Sequence, residues 1–402
     1  MSNVSRIVKE IIAEVRKEGD QALFTYTNKL DQFQITKNNL KFSAAEFAAA
    51  EQNISIELNN ALKKAYNRVR NYHLRQMPKN DFYEDLEGVK TGWKWYPLQS
   101  VGIYVPGGLA SYPSSVIMTA TIAKIAGVKN ISLVMPCPGG KYNDAILVAA
   151  KICGVENIYK VGGAQAIAAL AYGTESISKV SKIVGPGNAY VAEAKKQVFG
   201  DVGIDSIAGP SEILIIADES AKPEYIAYDL LSQAEHDKLA RPILITDSEF
   251  LANKVEAYVA QIITKLKRYD IANASWQNNK VIKLVKNKAE AAKIANQYAP
   301  EHMELMTNDN QYYIDNISTA GAIFIGPYTP ESIGDYMAGP SHVLPTYGSA
   351  KFSSGLSIYD FLRRSSLIEC NRLAFNNLAE ETILIAENEG LECHSLACKV
   401  RK

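Results

Sequence analysis

Val4, Ile7, Val8, Ile11, Ile12 and Val15 recur at three- and four-residue intervals, which draws one apolar stripe along a helix near the N-terminus. The spacing predicts a second helical stretch over residues 55–77, rich in basic side chains and carrying His73, so the first hundred residues read as mostly helical. From Val101 the pattern changes. Short apolar runs at 101–105, 131–135, 157–161, 182–184 and 212–217 alternate with helix-forming segments at 114–126, 143–153, 164–172 and 189–199. The alternation continues with a helix over 223–236, a strand over 242–246, helices over 250–265 and 289–298, and a strand over 321–325. From Asp360 onward the pattern is helical again and ends in a polar tail. Strand and helix in strict turn predict mostly parallel sheets with helices on their faces, an α/β fold whose two stretches form two similar lobes with a cleft between them.

At 402 residues the chain is too long for one compact core, and two domains with an appended arm are expected. Forty-three Lys plus Arg balance 43 Asp plus Glu, so the basic excess of a nucleic-acid-binding protein is missing. No apolar run reaches the roughly 18–20 residues that cross a bilayer, and the first twenty residues lack the apolar core of a signal peptide. Cys137, Cys153, Cys370, Cys393 and Cys398 are an odd number without a CxxC pair, which argues for a reduced, cytoplasmic protein rather than a disulfide framework.

Histidine is scarce, and four of the five occur beside other polar residues near turns: Gln233-Ala-Glu-His236-Asp237, Glu301-His302, Asp335 to His342, and Glu389 to His394. Gln233 and His236 stand three apart at the end of an expected helix and project from one face, a spacing that suits two ligands of one metal. Glu301 and His302 are neighbouring proton acceptors for chemistry near neutral pH; the plainer reading is a histidine placed at a helix C-terminus. His73 reads as a packed or surface residue.

Three glycine turns follow strands: Val101-Gly-Ile-Tyr104-Val-Pro-Gly107-Gly108, Val161-Gly-Gly-Ala-Gln165 and Val184-Gly-Pro-Gly-Asn188. Such turns hold phosphates or dinucleotides at the carboxyl edge of α/β sheets, although tight βα connections also use glycine for geometry alone. None of the three is a GxGxxG fingerprint.

Taken with these segments, the blocks GIYVPGG, GGAQAIAALAYGTE, VGPGNAYVAEAK, AGPSE, LLSQAEHD, APEHMEL, GDYMAGPSHVLPT and EGLECH resemble histidinol dehydrogenase, in order and spacing, from residue 102 to 394. The resemblance implies two incomplete Rossmann-like lobes, a first built from 1–103 and 213–355 with the N-terminal helices, and a second, NAD-binding lobe at 104–212. A C-terminal arm at 356–402 would contribute to the active site, in a homodimer to that of the partner subunit. It implies one Zn2+ per subunit on Gln233, His236, Asp335 and His394, with Glu301 and His302 as the catalytic acid–base residues. Ser211, His342 and Glu389, together with the metal ligands and His302, would face L-histidinol, while Tyr104, Gln165 and Asn188 would contact NAD. The implied reaction takes histidinol through the aldehyde to histidine with two NAD and one water, the last step of histidine biosynthesis. The chain departs from the family in beginning late, with little of the N-terminal arm that many members carry, and in placing Cys393 and Cys398 near His394. A zinc dehydrogenase acting on another amino or sulfonated alcohol, a zinc hydrolase and a non-catalytic binding protein are the rival readings.

Overall fold

The computed structural model describes residues 3–107, 112–207 and 209–402; Gly108 of the first glycine turn lies outside them. The chain divides into two compact units, Met1–Gln76 with Leu98–Phe361, and Met77–Pro97 with Leu362–Lys402.

The first unit opens with four helices, α1 (Asn3–Glu18), α2 (Asp20–Asp31), α3 (Ala44–Asn53) and α4 (Ile56–Leu74). Ser43 caps α3 in a reciprocal capping box with Glu46, and Ser55 caps α4, so both starts are written in the local sequence. After the hairpin β1 (Asp81–Glu84) and β2 (Val89–Pro97) of the second unit, the first unit resumes with β3 (Ser100–Tyr104), α5 (Pro113–Ala126), β4 (Asn130–Val134), α6 (Asp144–Ile152), β5 (Asn157–Tyr159), α7 (Gly163–Tyr172), β6 (Lys182–Val184), α8 (Ala189–Val198) and β7 (Gly203–Ile204). These strands form an all-parallel sheet in the order β5-β4-β3-β6-β7.

A second series follows: β8 (Glu212–Ala217), α9 (Pro223–Ala234), β9 (Arg241–Thr246), α10 (Glu249–Ile263), α11 (Tyr269–Asn279), β10 (Val281–Leu284), α12 (Lys288–Tyr298), β11 (His302–Met306), α13 (Asn310–Asn316), β12 (Ala322–Ile325) and the short α14 (Glu331–Ile333). Its sheet is also all parallel, in the order β10-β9-β8-β11-β12. Counted from its own first strand, each sheet runs 3-2-1-4-5, five of the six strands of the doubly wound dinucleotide fold. The fold class read from the alternation is therefore the one observed, twice over.

The N-terminal helices differ from the division expected above. The buried stripe Val8, Ile11, Ile12 and Val15 joins one core with Ile167, Leu170, Ile183 and Val191, so α1 packs on α7 and α8 of the β3–β7 lobe rather than on the β8–β12 lobe. Each such side chain stabilises the contact by roughly 1.5–3 kcal/mol, and the neighbouring lobe with small residues on α7 is where that stripe fits. The boundary also falls earlier than 104, since β3 begins at Ser100.

In the second unit β2 is the central strand of an antiparallel sheet, flanked by β1 and by β13 (Leu362–Cys370), and the chain ends in α15 (Arg372–Asn388) and α16 (Glu392–Lys399). The expectation of helix from Asp360 onward is thus corrected at β13. The Arg363 guanidinium stacks 4.7 Å from the Tyr96 ring centre, and nine residues of β13 pair with β2, so a partner strand some 270 residues distant decides the conformation. Among the described residues no helix is long and apolar enough to cross a membrane.

Candidate active site

The carboxyl edge of the first sheet and the amino edge of the second enclose a cavity of about 480 Å³. From the first come Pro106, after β3, and Pro186, Gly187, Asn188 and Ala189, after β6. Gly209, Pro210 and Ser211 lead into β8, and Glu301 and His302 stand at the start of β11. Gln233, His236, Glu331, Asp335 and His342 add to the polar lining, beside Ser114, Ser115 and Asp237.

His302 is the best constrained of these. It is 4% exposed, and as the first residue of β11 it is paired with Ile213 of β8 and Ala322 of β12. Its Nδ1 lies 3.0 Å from the main-chain oxygen of Glu212. A carbonyl only accepts, so Nδ1 carries the proton and Nε2 keeps its lone pair. Nε2 is buried without a hydrogen-bond partner among the described residues and lies 3.9 Å from Asp335 Oδ1. Burial lowers the imidazole pKa below 6.5, opposed by the Asp335 charge. Gln233, 1% exposed, places its amide nitrogen 3.4 Å from the same Nδ1.

Glu301 accepts the Glu212 N–H at 2.9 Å and has Oε2 3.7 Å from His302 Nδ1. Burial drives its carboxyl well above the ordinary 4.5, and the Asp335 and Glu212 charges add to the shift. Glu331, absent from the sequence reading, is 3% exposed and lies 3.7 Å from His302 Nδ1. Its carboxyl is likewise pushed well up, first by burial and then by Asp335 and Glu301. The signal for it was present, since Glu331 stands one helical turn before Asp335. Donor atoms of His302, Glu331 and Asp335 all lie within 4.8 Å of one another.

His342 is engaged through both nitrogens, Nδ1 3.1 Å from the Asp335 main-chain oxygen and Nε2 3.2 Å from Ser115 Oγ, so the hydroxyl donates to Nε2. Asp335 sits in a widened turn, Gly334–Ala338, whose carbonyls at Met337 and Ala338 are held by the Arg68 guanidinium of α4. His236 lies beyond the helix end expected at 236: α9 stops at Ala234 with Glu235 as its cap, and the pair Gln233 and His236 faces the cavity from a helix end and the turn after it.

Of the residues expected at the nicotinamide cofactor, Asn188 lines the cavity, its Oδ1 accepting the N–H groups of Tyr190 and Val191 to cap α8. Tyr104 is 3% exposed, and its hydroxyl accepts the Gly163 N–H at 3.1 Å; burial pushes the phenol up to about 12. Gln165 is 1% exposed, with an Oε1 that has no partner among the described residues. Gly107 approaches Pro136 so closely that a Cβ would sit 2.5 Å from its carbonyl oxygen, a steric reason for that glycine. Glu389 and His394 belong to the second unit, where both are exposed.

Two lobes of dinucleotide-fold topology meeting over a histidine–carboxylate cluster place the chain among the two-lobed α/β oxidoreductases. The sequence model of the histidinol dehydrogenase family matches residues 1–402. Histidinol dehydrogenase 1 of Nostoc sp. is 52% identical over 99% of the chain and 92% of its own length, and the histidinol dehydrogenase of Brucella abortus 49% over 99% and 93%. The crystal structure of histidinol dehydrogenase from Elizabethkingia anophelis superposes with a TM-score of 0.96 at 37% identity, covering 100% of this chain and 92% of that one. The chain belongs to the histidinol dehydrogenase family.

Proposed function

We propose that this enzyme oxidises L-histidinol to L-histidine through the aldehyde, in the cytoplasm, with two NAD and one water. The observation that carries the reading is the polarity of His302: a protonated Nδ1 tied to the backbone and a free Nε2 lone pair buried at the cavity wall. Held this way, Nε2 can take the proton of the alcohol, whose carbinol carbon would give up its hydride. Burial lowers the imidazole pKa and so favours the neutral form that acts as a base. Glu301, whose buried carboxyl has a raised pKa, then takes the proton of the water that adds to the aldehyde. Once His302 has passed its first proton to water in the cavity, Nε2 can take a hydroxyl proton of the hydrate, and the acid results; NAD, when bound, would accept one hydride in each oxidation.

The family implies zinc. The donor set fits a small cation, because the Gln233 carboxamide, the His236 imidazole and the Asp335 carboxylate, nitrogen and oxygen donors, line one cavity. Gln233, His236 and Asp335, with His394, would hold the ion. It would supply a fixed positive charge that orients the amine and imidazole nitrogens of histidinol. Asp335 is common to that set and to the compact His302, Glu331, Asp335 group; His302 is assigned to proton transfer, since a coordinated Nε2 has no lone pair to offer. Ser211 and His342 face the substrate from the cavity wall. Asn188 meets NAD there, with Tyr104 and Gln165 as its further contacts. In a homodimer the C-terminal segments, through Glu389 and His394, complete the site of the neighbouring copy.

A spectrophotometric assay with histidinol and NAD, run before and after chelation, tests the reading. Two reduced cofactors per histidine, lost on chelation and restored by zinc, are expected. Product formation without NAD would overturn it in favour of a hydrolase.

A further inference from the structure

Lys195 and Asp205 form an ion pair whose side chains are 2% and 4% exposed, and both charges are spent on one glycine. Lys195 Nζ donates to the Gly185 carbonyl at 3.0 Å, and Asp205 Oδ2 accepts the Gly185 N–H at 2.7 Å. Asp205 Oδ1 accepts from Lys195 and, at 2.7 Å, from the Ser206 N–H. Gly185 has φ of +113°, and a Cβ there would sit 2.2 Å from the Tyr104 carbonyl oxygen. Its two flanking peptides are therefore fixed by charge and by contact together.

The constraint runs on into the cavity. Pro186 fixes its own φ, a Cβ on Gly187 would sit 2.3 Å from Val191 Cγ1, and Asn188 is locked as the cap of α8. Pro186 to Ala189 are the residues of this turn that line the cavity. As a stabilising device a buried ion pair is poor, because desolvation offsets the attraction and apolar replacements are often no less stable. Setting the direction of two adjacent peptide groups is something apolar packing does not do.

We propose that Lys195 and Asp205 are positioning residues for the dinucleotide, holding the 185–188 turn so that Asn188 and the start of α8 meet the cofactor. This rests on the assignment of Asn188 to NAD given above.

The test is the double variant Lys195→Met/Asp205→Asn, which removes both charges and leaves neither unpaired. NAD affinity by calorimetry, the KM for histidinol and the thermal midpoint are measured on the zinc-loaded enzyme. The NAD dissociation constant should rise about tenfold, the loss expected when charge-assisted hydrogen bonds disappear, while the histidinol KM stays within about twofold and the midpoint within a few degrees. Wild-type NAD affinity in the folded variant overturns the proposal. So does a lowered midpoint with losses shared equally between the two substrates, the mark of a structural role. If the double variant does not fold, Asp205→Asn alone carries the same criteria with a loss of about threefold or more. Asn188→Ala separates the two claims: if it leaves NAD binding intact the cofactor assignment fails, and if it weakens binding while the clamp variant does not, the positioning role fails.

Discussion

His302 Nδ1 and the Glu212 carbonyl oxygen are 3.0 Å apart, and that contact selects the tautomer of the imidazole. Both residues begin strands, β8 and β11, that pair in parallel register, so the sheet itself delivers the acceptor to the ring. Replacing His302 by Asn, or Glu301 by Gln, should lower kcat by about 10²–10⁴, the usual contribution of one positioned base. Metal content measured on the same samples should stay normal, and near-wild-type turnover would refute the assigned roles.

Behind this base lies a second carboxyl pair. Glu304, 1% exposed, accepts the Glu331 N–H at 2.8 Å, while its Oε2 is buried without a hydrogen-bond partner among the described residues; burial raises its carboxyl well above 4.5, the Asp229 charge adding to the shift, and raises Asp229 to about 6. Glu304→Gln preserves an acceptor for the Glu331 N–H, so its denaturant midpoint should remain close to wild type. Glu304→Leu strands a buried N–H and should cost about 1–3 kcal/mol. Equal midpoints for the two variants would contradict the pairing.

Removal of the metal should abolish turnover and lower the thermal midpoint, because Asp335 would lose the charge that compensates it and Gln233 and His236 the ion they hold. A ligand present at a thousand times its dissociation constant stabilises the folded state by about 4 kcal/mol, so calorimetry of the loaded and stripped protein should resolve the difference. Unchanged midpoints would argue against an ion at this cluster.

His73 supplies a pH test away from the site. It is 1% exposed, donates from Nδ1 to Gln76 Oε1 at 2.8 Å, and burial lowers its pKa from 6.5. The folded state therefore excludes a proton that the unfolded chain takes up. Its contribution is complete above about pH 6.5 and is lost as the pH falls through the folded value, with a slope of at most about 1.4 kcal/mol per pH unit. His73→Leu should lose less stability than wild type between about pH 7 and pH 5 in chemical denaturation, and parallel profiles would exclude the buried neutral histidine.

Much of this was legible in residue order. The runs at 182–184 and 212–217 are strands because continuous apolar side chains suit a sheet buried on both faces. The stripe from Val8 to Val15 is a helix because its spacing matches the helical period. The hairpin of β1 and β2 was not legible, since β1 is exposed along its whole length and shows no apolar alternation, and β13 was not, since its backbone bonds join a segment some 270 residues distant. β11 was hidden by Glu304, a carboxyl in a buried strand that burial pushes up and that accepts the Glu331 N–H.

The sequence by itself determined the alternation of strand and helix, the helix caps, the glycine turns and the set of polar residues available for chemistry, because each of these depends on neighbours a few positions away. The tertiary structure decided which lobe the N-terminal helices cover, where α9 stops relative to His236, which nitrogen of His302 is free, that Glu331 joins the cluster, and that Tyr104 and Gln165 are buried. Those outcomes turn on desolvation and on separations of a few ångströms between groups tens to hundreds of residues apart, which only a closed core sets.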